Sequence, residues 1–305
     1  MKKVLFIVNA SAGKNRLRGH FTDIFEQFGL HGYSIEVAVT LRAMHAEELA
    51  FEATEQGKDL IVCCGGDGTL NEVISGVIRS GKPVEIGYIP SGSTNDFAQS
   101  AEISFDVHEA VSNILAEECQ NMDVGAFNGR HFIYIASFGA FTAVSYKTPK
   151  SMKKTFGHLA YLFEGVKDLG SIAPHQLKLE TADRIIEGEF CFGAIGNSKS
   201  IGGILHISED IVCMNDGLFE VLLIRAPKTP MQLASVVFGL SQSDFSGDMF
   251  EFFQADSMTI ESNGEFDWTL DGEHAKGART VHIKNLKNAY KLRIQTQKNP
   301  KQITE

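Results

Sequence analysis

No apolar run in this chain of 305 residues approaches the roughly 20 residues that a helix needs to cross a bilayer, so no membrane span is expected. Met1-Lys2-Lys3 passes at once into a short strand-like run, without the core of a signal peptide. The expectation is a cytoplasmic protein. Basic residues are also in deficit: 28 Lys and Arg face 38 Asp and Glu, a formal net charge of −10. Without a basic excess to displace counterions, nucleic acid is not expected as a partner, and any attraction to an anionic membrane must be local. Cysteine is sparse, five residues with no C-x-x-C spacing, which argues for reduced structural thiols and against a zinc site. The ten histidines show no ligand spacing, and none is assigned to catalysis. There is no internal repeat and no low-complexity tract.

What remains is ordinary globular material, 43% hydrophobic and 22% charged, long enough for two domains with their own cores. The first 120 residues alternate strand and helix signals. Apolar runs at 4–8, 34–39, 60–64 and 84–89 read as strands. Between and after them, Phe21, Ile24, Phe25 and Phe28, then Ala46, Leu49, Ala50 and Ala53, then Leu70, Val73, Ile74 and Val77 fall on single helical faces. Two further helices are expected near 94–99 and 106–117. This rhythm predicts a parallel α/β sheet with ligands at the carboxyl ends of its strands.

After Met122 the rhythm changes. Strands at 124–127 and 131–135 flank Asn128-Gly129, a hairpin signal. Further strand-like runs follow at 176–180, 187–195, 219–224, 257–261, 266–270, 280–284 and 290–295, with helical inserts at 159–169 and 231–240. The expected architecture is an N-terminal α/β nucleotide-binding domain (1–122) and a mainly antiparallel β-sandwich domain (123–297), with the active site in the cleft between them. The last strand is allowed to return to the first domain, and 298–305 is a tail.

Residues 60–74 read LIVCCGGDGTLNEVI: a buried strand, the turn Gly65-Gly66-Asp67-Gly68-Thr69, and a helix start. Glycines let a phosphate approach backbone N–H groups, and the helix N-terminus adds free donors and a favourable dipole. Thr69 can cap the helix or touch a phosphate. The turn lacks the lysine of a Walker A loop and has Asn71 where a dinucleotide fingerprint needs Gly or Ala. A carboxylate at Asp67 requires a metal, an ordered water or a cation to screen it from a nucleotide. At the first strand's end, Asn9-Ala10-Ser11-Ala12-Gly13-Lys14 offers donors and a cation to a phosphate, or is a plain turn. At the fourth, Pro90-Ser91-Gly92-Ser93-Thr94-Asn95-Asp96-Phe97-Ala98 is partly a helix cap, with Asp96 free to face metal or substrate. Asp67 and Asp96 at one rim suggest a magnesium-nucleotide site.

The two motifs at 65–73 and 90–98 together resemble those of the diacylglycerol kinase catalytic family, particularly its soluble bacterial lipid kinases. The resemblance extends through Asp123-Val124-Gly125, Asn215-Asp216-Gly217-Leu218 and Asp271-Gly272-Glu273, nearly the whole chain. It implies that ATP contacts Asn9, Ala10, Ser11, Ala12 and Gly13, then Thr40, then Gly65, Gly66, Asp67, Gly68, Thr69, Leu70 and Asn71, and finally Thr94. It implies a structural Mg²⁺ held by the Asp216 carboxylate and the carbonyls of Cys213 and Leu218, and joined through water to Asp67, Asp96 and Asp123. Glu273 becomes the general base, a carboxylate that accepts the proton of a poorly nucleophilic alcohol, and Asp271 orients it or holds a cation.

Three positions depart from the family pattern: Ala10 for proline, Gln99 for arginine, and Asp210-Ile211-Val212 for Pro-x-Ala. The implied activity is ATP- and Mg²⁺-dependent phosphorylation of diacylglycerol to phosphatidic acid. Sphingoid bases or other lipids, NAD, and a catalytically silent lipid- or nucleotide-binding protein stand as alternatives. The implied partner is a lipid at the membrane surface, reached transiently; a homodimer is left open. Lys147, Lys150, Lys153 and Lys154 with Met152, Phe156, Leu159, Tyr161 and Phe163 suit an anionic bilayer, or form a solvated face beside a core helix.

Overall fold

The computed structural model describes residues 1–12, 17–139, 173–198, 200–201, 205–206 and 213–294. Gly13 and Lys14, the 147–163 segment, the helix expected at 159–169, Asp210-Ile211-Val212 and the 298–305 tail lie outside them. The chain divides into two compact units, Met1–Asp123 with Lys287–Glu305, and Val124–Leu286.

The first unit alternates β1 (Lys2–Val8), α1 (Phe21–Leu30), β2 (Tyr33–Val39), α2 (His45–Glu55), β3 (Leu60–Gly65), α3 (Asp67–Ser80) and β4 (Glu85–Pro90), then α4 (Asp96–Ser100) and α5 (Val107–Leu115). Its sheet runs β2-β1-β3-β4 and is completed by the last strand of the chain, β17 (Thr280–Arg293), every pair being parallel. Parallel strands bury both faces, so they read as continuous apolar runs. Val4, Phe6, Val8, Leu60, Val62 and Cys64 pack against Ile24 and Phe28 of α1 and Val111 and Ile114 of α5. Leu5, Ile7, Ile61 and Cys63, the alternate set, are equally buried, and α2 and α3 lie against β1 and β3.

The second unit is built from β5 (Cys119–Phe127), which crosses the division, β6 (Arg130–Phe132), β7 (Ile135–Gly139), β8 (His175–Glu180), β9 (Ile185–Gly196), β10 (Ser200–Ile201), β11 (Leu205–His206), β12 (Phe219–Arg225), α6 (Pro230–Gln242), β13 (Phe250–Ala255), β14 (Ser257–Ser262), β15 (Trp268–Leu270), β16 (Glu273–Ala275) and the first half of β17. Its described strand pairs are antiparallel. The long β9 pairs with β8, β7 and β12. Their core is aromatic, with Phe127, Phe132, Phe138, Phe190, Phe219 and Trp268 all nearly inaccessible. The expected fold class, parallel α/β followed by antiparallel β, is the observed one.

Three expectations are corrected. The runs at 280–284 and 290–295 are one strand, Thr280–Arg293, which pairs antiparallel with β14 and parallel with β4. The strand expected at 131–135 is broken between Phe132 and Ile135. A strand that the sequence did not suggest, Phe250–Ala255, pairs with β12.

The final residue of β17 closes the first unit. Arg293, 4% exposed, donates to Glu85 on β4 at 2.6 and 2.7 Å, to the Tyr33 hydroxyl on β2 at 2.8 Å and to the Ile114 carbonyl on α5 at 3.1 Å. One guanidinium thus ties two strands and a helix to the end of the chain's last strand. Arg293→Ala strands the Glu85 carboxylate and is expected to cost about 3 kcal/mol in urea unfolding. A loss below about 0.5 kcal/mol, the range of an ordinary surface change, would contradict this role.

Candidate active site

Four chain segments meet at the carboxyl edge of the parallel sheet. Register sets Val8 beside Val39 and Cys64, and Gly65 beside Pro90, so Thr40, Asn9, Gly66 and Ser91 follow the ends of four neighbouring strands. The edge is cross-linked. The Thr40 amide donates to the Val8 carbonyl, the Asn9 amide to Cys64 and the Ser91 amide to Gly65, all at 2.8–2.9 Å. The Asn9 side chain donates to the Thr69 hydroxyl at 2.9 Å and accepts from the Ser11 amide at 3.0 Å.

The glycine turn is shorter than the sequence suggests. Helix α3 begins at Asp67, with Gly66 in an extended conformation as its N-cap, so Asp67, Gly68 and Thr69 form its first turn. The two glycine motifs require glycine for each other: a Cβ on Gly92 would lie 2.5 Å from the Gly66 Cα, and one on Gly66 would lie 3.1 Å from the Gly92 Cα. Asn95, in the left-handed region at φ 55°, fixes the second turn by accepting from the Gly92 amide at 2.9 Å. The Tyr88 hydroxyl donates to the same Asn95 oxygen at 3.4 Å, and burial followed by the nearby Asp67 charge keeps this phenol protonated.

The acidic residues of the first motif hold helices. Asp67 accepts from the amides of Asp96 at 2.9 Å and Phe97 at 3.2 Å, the first turn of α4. Glu72, to which the sequence assigned no role, accepts from the Met44 amide at 2.9 Å and the Ala46 amide at 3.0 Å, the start of α2. Backbone amides at a helix start supply the positive partner that the Asp67 charge needs. Leu70 is fully buried, Asn71 accepts from Ser75, and Thr94 is exposed beside α4. Asp123, 2% exposed, accepts from the Asn288 amide at 2.8 Å, where β17 passes through φ 54°. The neighbouring thiols are held neutral, Cys64 being pushed up to about 12 by burial.

The second unit carries the other sequence-predicted residues. Asp271 and Gly272, at φ 49° and 83°, form the two-residue turn between β15 and β16, the geometry that Asp-Gly favours. The Asp271 carboxylate, 8% exposed, accepts three amides: Ile133 at 2.7 Å, Tyr134 at 3.0 Å and Ile135 at 3.1 Å. Those bonds turn the chain between β6 and β7 and explain the broken strand. They also pin the turn that presents Glu273, whose side chain is exposed.

The segment at 213–218 is joined to this turn within the same unit. The Tyr134 carbonyl accepts from the Asn197 amide at 3.0 Å, and the Asn197 side chain donates to the Met214 carbonyl at 3.2 Å. Asp216 accepts from the Leu218 amide at 2.9 Å, and the Leu218 carbonyl accepts from Asn285 at 3.3 Å. Cys213 donates through sulfur to Asn215. The Oδ1 atoms of Asn197 and Asn285 are buried, with no hydrogen-bond partner among the described residues. Glu220, 1% exposed, accepts from Gln254 at 3.0 Å, and burial raises its carboxyl to about 7.

The comparisons agree across the chain. The diacylglycerol kinase catalytic domain matches residues 3–127, and the YegS C-terminal NAD kinase beta sandwich-like domain matches residues 135–291. A diacylglycerol kinase of Bacillus subtilis is 28% identical over 292 residues, covering 93% of this chain and 96% of the relative. One from Staphylococcus saprophyticus is 27% identical, covering 94% and 93%. A crystal structure described as a diacylglycerol kinase from Bacillus anthracis superposes with a TM-score of 0.74 at 21% identity, covering 96% and 97% of the two chains, a likeness of fold.

Because the two glycine turns touch backbone to backbone, Gly92→Ala is expected to push them apart. Unfolding should be easier by about 1–3 kcal/mol, and ATP binding, followed by calorimetry, should weaken at least tenfold. Wild-type ATP affinity in a folded Gly92→Ala protein would show that the contact does not shape the nucleotide edge.

Proposed function

The chain belongs to the diacylglycerol kinase catalytic domain family, with a YegS-like C-terminal domain, and on that premise we propose that it phosphorylates the free hydroxyl of diacylglycerol or a similar lipid, using ATP and Mg²⁺. The observation that carries this reading is the edge formed by Thr40, Asn9, Gly66 and Ser91, with the N-terminus of the 14-residue α3 rising from it. Backbone amides and the positive dipole end at such a helix start suit a polyphosphate. Asn9, Thr69 and the exposed Thr94 add side-chain donors along that edge.

The roles then divide between the units. In the first, the edge residues from Asn9 to Thr94 bind and orient ATP, and Asp67, Asp96 and Asp123 contribute negative charge for a hydrated cation. In the second, Glu273 accepts the hydroxyl proton as oxygen bonds to phosphorus, and Asp271 is a positioning residue, holding the turn through the 133–135 amides. Oxygen donors at 213–218, the Asp216 carboxylate and the carbonyls of Cys213 and Leu218, fit Mg²⁺ rather than a softer metal. The oxygens of Asn197 and Asn285 beside that loop, without a hydrogen-bond partner among the described residues, are acceptors that the water shell of such an ion would satisfy. When bound, Mg²⁺ supplies charge neutralisation, and the remaining work of phosphoryl transfer is positioning.

Among the described residues no helix is long and apolar enough to cross a membrane. In this proposal the lipid is met at a bilayer surface. The lysine-rich stretch at 147–154 is the candidate contact, and its vesicle co-sedimentation can be measured in a variant lacking the four lysines. The NAD kinase-like character of the C-terminal domain makes NAD the second acceptor to assay.

Glu273→Gln is isosteric and sits at an exposed turn, so folding and ATP affinity should be preserved. Phosphate transfer to diacylglycerol should fall by about 10²–10⁴-fold, the range of a lost general base. A Glu273→Gln enzyme with wild-type turnover would remove Glu273 from the chemistry. Faster transfer to NAD than to diacylglycerol would reassign the substrate.

A further inference from the structure

Sequence spacing gives no sign of a histidine metal site, yet the first unit assembles one at the starts of α1 and α5, from residues other than those of the nucleotide edge. His20 is the N-cap of α1, Asp23 lies in the first turn of that helix, and His108 lies in the first turn of α5. One ligand atom from each residue falls within 4.8 Å of the other two. The two imidazoles stand edge to face, with centroids 5.3 Å apart and planes at 79°. None of the three side chains is occupied by a hydrogen bond or an ion pair among the described residues. The adjacent Asp106 carboxylate is occupied differently, accepting the amides of His108 and Glu109 as the α5 cap.

We propose that His20, Asp23 and His108 bind a divalent transition-metal ion of the zinc class, bridging α1 to α5. Two imidazoles and a carboxylate are the donor set that zinc takes with one position left for water, whereas Mg²⁺ and Ca²⁺ call for oxygen ligands. Metal–ligand bonds of about 2.0–2.2 Å bring such donors to roughly 3.4 Å from one another, a closure that rotation of exposed side chains supplies. Asp23 and His108 also line a groove of about 580 Å³ between the two helices, and both are exposed to solvent. Both helix N-termini direct positive dipole ends toward the cluster, and Asp23 is the charge that offsets them. The bridge ties the start of α1 to the start of α5, so the ion acts on the first unit's stability. This site is independent of the kinase reading and of the Mg²⁺ loop at 213–218.

The test is calorimetric titration of the full chain with Zn²⁺ alone, with thermal unfolding followed in parallel. Wild-type protein should take up one more equivalent than His20→Ala or His108→Ala, and Asp23→Asn should bind at least tenfold more weakly. His31→Ala, a change to another histidine of the groove, should match wild type. Zn²⁺ should raise the unfolding temperature of wild type and not of the histidine variants, and millimolar Mg²⁺ should not displace it. Cysteine-bound zinc, being common to all of these proteins, cancels in the comparison. Equal stoichiometry and affinity in wild type and the histidine variants would overturn the proposal, as would an equal loss in His31→Ala.

Discussion

The carboxylate of Asp67 on the first two amides of α4 is the contact on which the candidate nucleotide edge depends. Helix α4 has five residues, too few to be stable by its own hydrogen bonds, so something outside it must hold its start. Asp67 does this from the first turn of α3, while Glu72, five residues on, holds the start of α2 in the same way. One helix thereby sets the positions of two others. The close approach of Gly66 and Gly92 follows, since the α3 and α4 turns meet where neither residue can carry a side chain.

The second unit uses the same device. Asp271 gathers three amides at the junction of β6 and β7, and so fixes the turn that bears Glu273. Through Tyr134, Asn197 and Met214, that turn is continuous with the 213–218 segment. A buried carboxylate satisfied by several backbone donors holds those donors in one geometry, which suits a scaffold for chemistry. In both units, motif carboxylates organise backbone, and the proposed ligands would bind to what they organise.

Much of the first unit was legible because its signals are local. Apolar runs at 4–8, 60–64 and 84–89 and faces such as Phe21, Ile24 and Phe28 reveal themselves within a dozen residues. Capping was not legible, because the partners are remote: Glu72 reaches back to Ala46, and Asp271 reaches back to Tyr134. The same remoteness hid the break between β6 and β7. Asn285 and Asn288 made β17 look like two strands, although the chain only bends there, with the Asn288 amide on Asp123. In β13, adjacent Phe252 and Phe253 spoil the two-residue alternation that marks a half-buried strand. His20 and His108 stand far apart in the sequence and meet only because α1 and α5 pack side by side.

The proposed reaction is transfer of a phosphoryl group from ATP to a lipid hydroxyl. The most direct measurement offers γ-³²P-labelled ATP and Mg²⁺ to the purified chain with a total lipid extract, then separates the organic and aqueous phases. Label is expected in an organic-phase phosphomonoester that comigrates with phosphatidic acid. Label confined to the aqueous phase, from a protein that binds ATP, would contradict it.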